Sequence, residues 1–158
     1  MNHLIKQLSG TNESELKEAL ALTKDVFQEF EAPDYSNEGI EHFNQFISFD
    51  TINQQIAKHE LMIWAYFSDR TNLTGMIALR LPNHLSLLFV DKSFHRQGIA
   101  RQLLETVITY CQTVHKVTEL TVNSSPYAFN AYKHLGFIPT DDQQEIDGII
   151  FTPMKIIL

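Results

Sequence analysis

The change of hydrophobic period between His84 and Leu104 constrains this chain more than any other feature. Residues His84 to Val90 alternate at strand period, with Leu85, Leu87 and Phe89 expected on one face and His84, Ser86, Leu88 and Val90 on the other. Beyond Gly98 the apolar residues Ile99, Leu103, Val107, Cys111 and Val114 recur at steps of three and four, the period of an amphipathic helix. Between them lies the turn His95-Arg96-Gln97-Gly98-Ile99-Ala100-Arg101. The first amides of such a helix have no intrahelical acceptors and sit at the positive end of its dipole, so phosphate oxygens can accept several at once. Gly98 allows close backbone approach, Ala100 keeps the next turn narrow, and Arg96 and Arg101 offer countercharge. An ordinary helix start with one glycine and two exposed arginines reads the same way, and this stretch alone does not separate the two. It is not a nucleotide P-loop, because the Lys-Ser/Thr pair is missing, and it lacks the three-glycine dinucleotide fingerprint.

The rest of the chain reads as a single domain over 1–158, since no repeat, low-complexity tract or Pro/Gly/Ser linker interrupts it. His3 to Leu8 suits an edge strand. Asn12 or Ser14 can cap a helix through Leu16, Leu20, Thr23, Phe27 and Phe30 that Pro33 ends, and Ser36 caps a second with Ile40, Phe43 and Ile47 on one face. Leu61 to Ser68 is apolar on both faces, a strand inside a sheet, and Asp69 to Asn72 turns it back through Leu73 to Leu81. After Pro82-Asn83 come the strand and helix described above. Val117 to Asn123 is a strand, and Ser125-Pro126 opens a short helix lined by Ala128, Ala131, Tyr132 and Leu135, which Gly136 closes. Glu145 to Ile157 reads as one long final strand. The order β-α-α-β-β-β-α-β-α-β-β puts antiparallel hairpins before one β-α-β crossover, hence a mixed sheet with helices on its faces.

Composition excludes several classes. A net charge of −7 argues against nucleic acid, whose binding needs surplus Lys and Arg. No segment has the length and apolarity of a signal peptide or a membrane span, and the single Cys111 precludes an internal disulfide; a cytoplasmic protein is expected, without membrane association. The histidines outside the strand and turn show no metal-ligand spacing, so no metal is expected.

A second stretch narrows the reading. Leu120-Thr-Val-Asn123-Ser-Ser125-Pro-Tyr-Ala128-Phe-Asn-Ala-Tyr132-Lys-His-Leu135-Gly136-Phe137 resembles the C-terminal motif of the GNAT N-acetyltransferases. The strand Leu88-Phe89-Val90 followed by His95-x-x-Gly98-x-Ala100 resembles their acetyl-CoA motif, with His95 where the family usually has Gln or Arg. The likeness implies an α/β (α+β) GNAT fold: a mixed, mostly antiparallel sheet of about six or seven strands flanked by about four helices, with two strands splayed at the cofactor site.

It also implies roles. The Leu88 amide would meet the thioester carbonyl, a donor worth ~3 kcal/mol to acyl transfer. Phe89 and Val90 would follow the pantetheine, and the turn from His95 through Arg96, Gln97, Gly98, Ile99 and Ala100 to Arg101 would hold the pyrophosphate. Asn123 and Ser125 would bond the pantetheine arm; they read equally as a strand end and a helix cap. Tyr132 falls where relatives carry a general acid near the sulfur, and it reads otherwise as a core aromatic beside Ala128. His84 falls four residues before Leu88, where the histone-acetylating branch carries a Glu base; the alternatives are a water relay and a plain strand-end histidine. The acceptor implied is a primary amine, of a small molecule attacked directly in a ternary complex. A protein lysine or N-terminus, or a non-catalytic acyl-CoA sensor, are the other readings. Glu29, Glu31, Asp34, Tyr35 and Glu38, with Asp141, Asp142, Glu145 and Asp147, would line the acceptor side and favour a cation, or else are solvated surface. The long final strand suggests a homodimer.

Overall fold

The computed structural model describes residues 2–158. In chain order the elements are β1 (Leu4–Leu8), α1 (Glu13–Val26), α2 (Asn37–Phe46), α3 (Phe49–Ala57), β2 (Leu61–Ser68), β3 (Asn72–Arg80), β4 (His84–Val90), α4 (Ile99–Tyr110), β5 (Glu119–Ser124), α5 (Phe129–Leu135), β6 (Ile138–Pro139), β7 (Gln144–Ile146) and β8 (Ile149–Ile157). The strands form one mixed sheet in the order β1-β2-β3-β4-β5-β8-β6, with β7 paired to β8. All pairs are antiparallel except β4 with β5. This is the expected α/β architecture, with eight strands because β6 and β7 are too short to stand out as apolar runs.

Each face of the sheet carries its own core. On one, Leu16, Ala19 and Leu20 of α1 and Ile52 of α3 cover Ile63, Ala65, Met76, Ala78, Leu87 and Phe89. Phe27 fills the centre, fully buried and stacked on Phe43 at 3.8 Å between ring centroids. On the other face Ile99, Leu103 and Val107 of α4 pack on Trp64, Ile77, Leu79 and Leu120. The start of α4 rests on Gly75, where a Cβ would lie 2.9 Å from Ile99 Cγ2.

Four local expectations are corrected. The apolar run after Ser36 forms two helices, because the Ser48 hydroxyl accepts the Thr51 N–H and starts α3 afresh. The presumed final strand is a hairpin: Asp147 and Gly148 take positive φ and divide β7 from β8. Ser125 does accept the Ala128 N–H through its Oγ, yet regular helix begins only at Phe129. Asn12 precedes α1, but its Oδ1 accepts the Ser9 N–H and caps nothing in the helix.

The most consequential correction lies in β4. Leu87 pairs with Ala78 and Leu85 with Leu79, so Ser86 is an unpaired extra residue, a β-bulge. The bulge reverses the alternation across it. Leu85 packs with the α4 core, whereas Leu87 and Phe89 pack with the α1 core. The expected common face of His84, Ser86 and Leu88 therefore does not form.

Candidate active site

Strands β4 and β5 pair only at His84↔Thr121 and Leu85↔Val122, then part. β5 continues along β8, while β4 stays with β3. Backbone direction at the resulting gap follows from the ladder. The Asp91 N–H donates to the Thr74 carbonyl, so this pair is hydrogen-bonded, and antiparallel partners alternate. Counting back, Phe89 faces β3, and the N–H groups of Val90 and Leu88 turn away from it into the gap.

The turn beyond β4 is built from left-handed backbone. Arg96 has φ 64° and Gly98 φ 81°; a side chain at Gly98 would meet no atom within 4 Å, so its conformation is what calls for glycine. The first bond closing α4 runs from the Gln102 N–H to the Gly98 carbonyl, which leaves the amides of Ile99, Ala100 and Arg101 without intrahelical acceptors. Arg101 also ties the turn to α5, its Nη2 donating to the His134 carbonyl at 3.3 Å. His95 folds back instead: its Nε2 donates to the Val90 carbonyl at 2.7 Å, so the proton is on that nitrogen.

Gap and turn together bound a cleft of about 440 Å³, lined among others by Leu88, Val90, Gly98, Arg101 and Tyr132. Phe89, His95, Arg96, Ile99 and Ala100 line it too, whereas Gln97 is exposed beside it. Phe30 lies between the two sides, its ring 4.9 Å from that of Tyr127 and 5.7 Å from that of His95. On the α1 side a second cavity of about 310 Å³ is walled by Tyr35, Phe43, Phe46, Arg80, His84 and Ile149. Asn123 and Ser125 line this second cavity and not the cleft. Both spaces share Glu31, Leu88, Phe89, Ala128 and Tyr132.

Glu31 reaches this junction because α1 does not end cleanly. Its last turn widens into a π-helical turn over Phe27–Glu31, followed by a 3₁₀ turn over Ala32–Asp34 with Pro33 inside it. Burial, with Asp34 adding repulsion and Ser125 opposing, pushes the Glu31 carboxyl up to about 7. Burial and the nearby Glu31 raise the hydroxyls of Tyr132 and Tyr35 above the ordinary tyrosine range, so both remain protonated. His84 moves the other way: burial, then Arg80, pull it down to about 4. Its Nδ1 is hydrogen-bonded to Thr121 Oγ1 at 2.8 Å.

Two groups at the site went unassigned from sequence. Glu31 stood only among acidic residues of the acceptor side, and Arg80 stood nowhere. The hairpin turn at Pro82-Asn83 was a usable signal for Arg80, since it pairs Arg80 with His84. His42 has two carboxylate neighbours, Glu38 one helical turn earlier and Asp147 across the β7–β8 turn, with ligand atoms within 4.8 Å of one another. All three are exposed, and none lines either cavity.

A family model for the acetyltransferase (GNAT) domain matches residues 31–158, and the chain belongs to that family: it is a GNAT-type N-acetyltransferase, of a class that uses acetyl-CoA. No curated protein shows significant sequence similarity to it. Among solved structures it is similar to a GCN5-related N-acetyltransferase from Rhodopseudomonas palustris, with a TM-score of 0.82, 15% identity, and coverage of 100% of this chain and 97% of that one. It is similar to the PaiA N-acetyltransferase of Thermoplasma acidophilum in complex with coenzyme A, with a TM-score of 0.79, 20% identity and full coverage of both chains. It is also similar to a chimera of the spermidine N-acetyltransferase SpeG from Vibrio cholerae and hSSAT, with a TM-score of 0.67, 16% identity, and coverage of 99% and 96%. At these identities the likeness establishes the fold. Among the described residues no helix is long and apolar enough to cross a membrane.

Proposed function

We propose that the chain, working as one domain over 1–158, acetylates the primary amine of a small molecule by direct attack while donor and acceptor are bound together. One observation carries this: the cleft beside the α4 turn and the second cavity open on the same five residues, among them Leu88 and Tyr132. The residues of the cleft fit acetyl-CoA, which would supply a thioester as acyl donor. The free amides at the α4 start, with Arg96 and Arg101, suit its pyrophosphate, and the Val90 N–H suits the pantetheine. The Leu88 N–H would aim at the thioester oxygen, where negative charge develops. Asn123 and Ser125 would act from the acceptor side.

Proton traffic falls to three residues. An amine arrives as an ammonium and must lose a proton before it attacks. His84 holds the expected base position, but a group with a pKa of about 4 accepts that proton poorly. Glu31 is better matched, because a base works best with a pKa near the working pH. We assign Glu31 as the acceptor of this proton and His84 as a neutral group that holds the substrate through its free ring nitrogen. Tyr132 would then give its phenolic proton to the departing sulfur, and the second proton shed by the attacking nitrogen as the amide forms would restore the phenol.

A thiol-release assay with acetyl-CoA and a broad amine library tests the reading. Release with small amines is expected. Release only with lysine peptides would favour a protein acceptor, and CoA binding without any turnover would favour a sensor. Tyr132→Phe should lower kcat by about 10²-fold or more while CoA affinity holds, since a positioned acid contributes on that scale. Unchanged turnover would remove Tyr132 from the mechanism.

A further inference from the structure

Of the residues expected to give the acceptor side a preference for cations, Glu31 and Tyr35 line the acceptor cavity and the others do not. Of the acidic set, only Glu31 lines the acceptor cavity; Glu29, Asp34, Glu38 and the acids from Asp141 to Asp147 do not. An arginine lines it instead, Arg80, solvent-exposed at the end of its strand. Arg80 ends β3 directly across from His84, the first residue of β4, and its charge is felt at that imidazole. Among the described residues no carboxylate lies within salt-bridge distance of Arg80.

The charges facing this space can be taken element by element. The turns after α1 supply Glu31, β3 supplies Arg80, and β4 supplies a His84 that is uncharged near neutral pH. From α2 come only Phe43 and Phe46, from β8 only Ile149, and from β5 and α5 no charged group. The two charges stand at opposite ends. Glu31 is at the mouth shared with the donor cleft, whereas Arg80 is level with His84, four residues down the strand from Leu88. That separation is roughly 13 Å of extended strand, shortened by the bulge at Ser86.

We propose that the acceptor is an amine that also bears an anionic group, as an amino acid does, with its amine held at Glu31 and its anion received by Arg80. This rests on the acetyl-transfer reading above and names the substrate class for it. Amine delivery to the junction leaves the anion pointing down β4, where the unpaired guanidinium can grip a carboxylate with two parallel N–H donors. A polyamine is disfavoured at the same place: its second cation would face Arg80 with no second carboxylate to meet it. The apolar walls at Phe43, Phe46 and Ile149 leave room for a small side chain or linker.

Matched pairs of acceptors test this with the full-length chain and acetyl-CoA. Each pair is an amino acid and its methyl ester, in an α-amino and an ω-amino series, alongside an aminoalkyl phosphate and spermidine. The free acids are expected to exceed their esters in kcat/KM by about tenfold or more, the scale of one charge-assisted hydrogen bond. Arg80→Gln should collapse that ratio toward one through KM, and Arg80→Lys should restore part of it. The two series read out the spacing, and the phosphate shows whether the site prefers carboxylate. Esters or spermidine turned over as well as the acids, or an acid-to-ester ratio untouched by Arg80→Gln, would overturn the proposal. Calorimetry on the CoA-bound protein separates this from failure of the acetyl-transfer reading. Arg80-dependent binding of the acids without thiol release would sink the catalytic reading and keep the acceptor class, whereas absence of both binding and release would overturn the acceptor class as well.

Discussion

Glu31 illustrates how one residue acquires a role from its surroundings. A carboxyl of ordinary pKa 4.5 is held near 7 chiefly because the helix end that carries it is partly withdrawn from water between two cavities. If it accepts the substrate proton, kcat/KM rises with pH through a limb centred near 7, and Glu31→Gln abolishes that limb along with most of the rate. Stability moves in the opposite sense. Between about 4.5 and 7 the native state binds the Glu31 proton more tightly than the unfolded chain does, so stability falls as pH rises through that window and levels off above it. Glu31→Gln removes this term, and its melting temperature relative to wild type should therefore climb from pH 4.5 to pH 7. A flat difference across that range would show that the carboxyl titrates normally. The identity of the residue was plain in the sequence; its burial was not, because nothing local announces a π-helical turn.

At the scale of elements, the acceptor cavity depends on how α2 meets the β7–β8 turn. The two backbones touch: a Cβ on Gly39 would lie 2.1 Å from the Gly148 carbonyl oxygen, and one on Gly148 would lie 2.1 Å from the Ser36 hydroxyl. Ser36 meanwhile caps α2 by accepting the Gly39 N–H at 3.1 Å. Gly39→Ala must push the helix from the turn, and since α2 carries Phe43 and Phe46 into the cavity wall, acceptor KM should rise severalfold. Denaturant midpoints should fall by the equivalent of about 1–3 kcal/mol, the usual cost of overpacking. CoA affinity should hold, since no residue of α2 or of the β7–β8 turn lines the cleft beside α4. Equal loss of both affinities would mean the two cavities are not separable in this way. The bulge at Ser86 belongs to this scale too. Strand period, turn and helix at 84–104 were legible because each depends on neighbours in sequence. The bulge depends on the register with β3, and it sent His84 to a different face from Leu88.

Across the whole molecule the sheet is divided where β4 and β5 part, and β8, β6 and β7 hang on the β5 side. A ligand lodged in that gap contacts both parts and binds only the folded state. At one hundred times its dissociation constant, CoA should add about 2.7 kcal/mol to stability. For a chain of this size that is roughly 5–10 °C in melting temperature, readable by calorimetry. No concentration-dependent rise would mean that CoA does not bind the folded chain, and the acetyl-CoA reading of the cleft would fall. The final strand is paired with β5 on one side and with β6 and β7 on the other, so β1 is the edge left open along its length.

What the sequence by itself determined is whatever rests on short-range periodicity and backbone preference. That covers the mixed sheet, the strand–turn–helix with its glycine at positive φ, the Gly136 helix end, and through two motifs the family. Only the tertiary structure decided where those parts face. It turned the Leu88 and Val90 amides into an unpaired gap, half-buried Glu31 at the meeting of two cavities, and set Arg80 opposite His84 while most of the acidic residues stayed outside. The physical reason is that exposure, ladder register and electrostatic environment are properties of pairs of segments distant along the chain, and they do not exist until those segments pack.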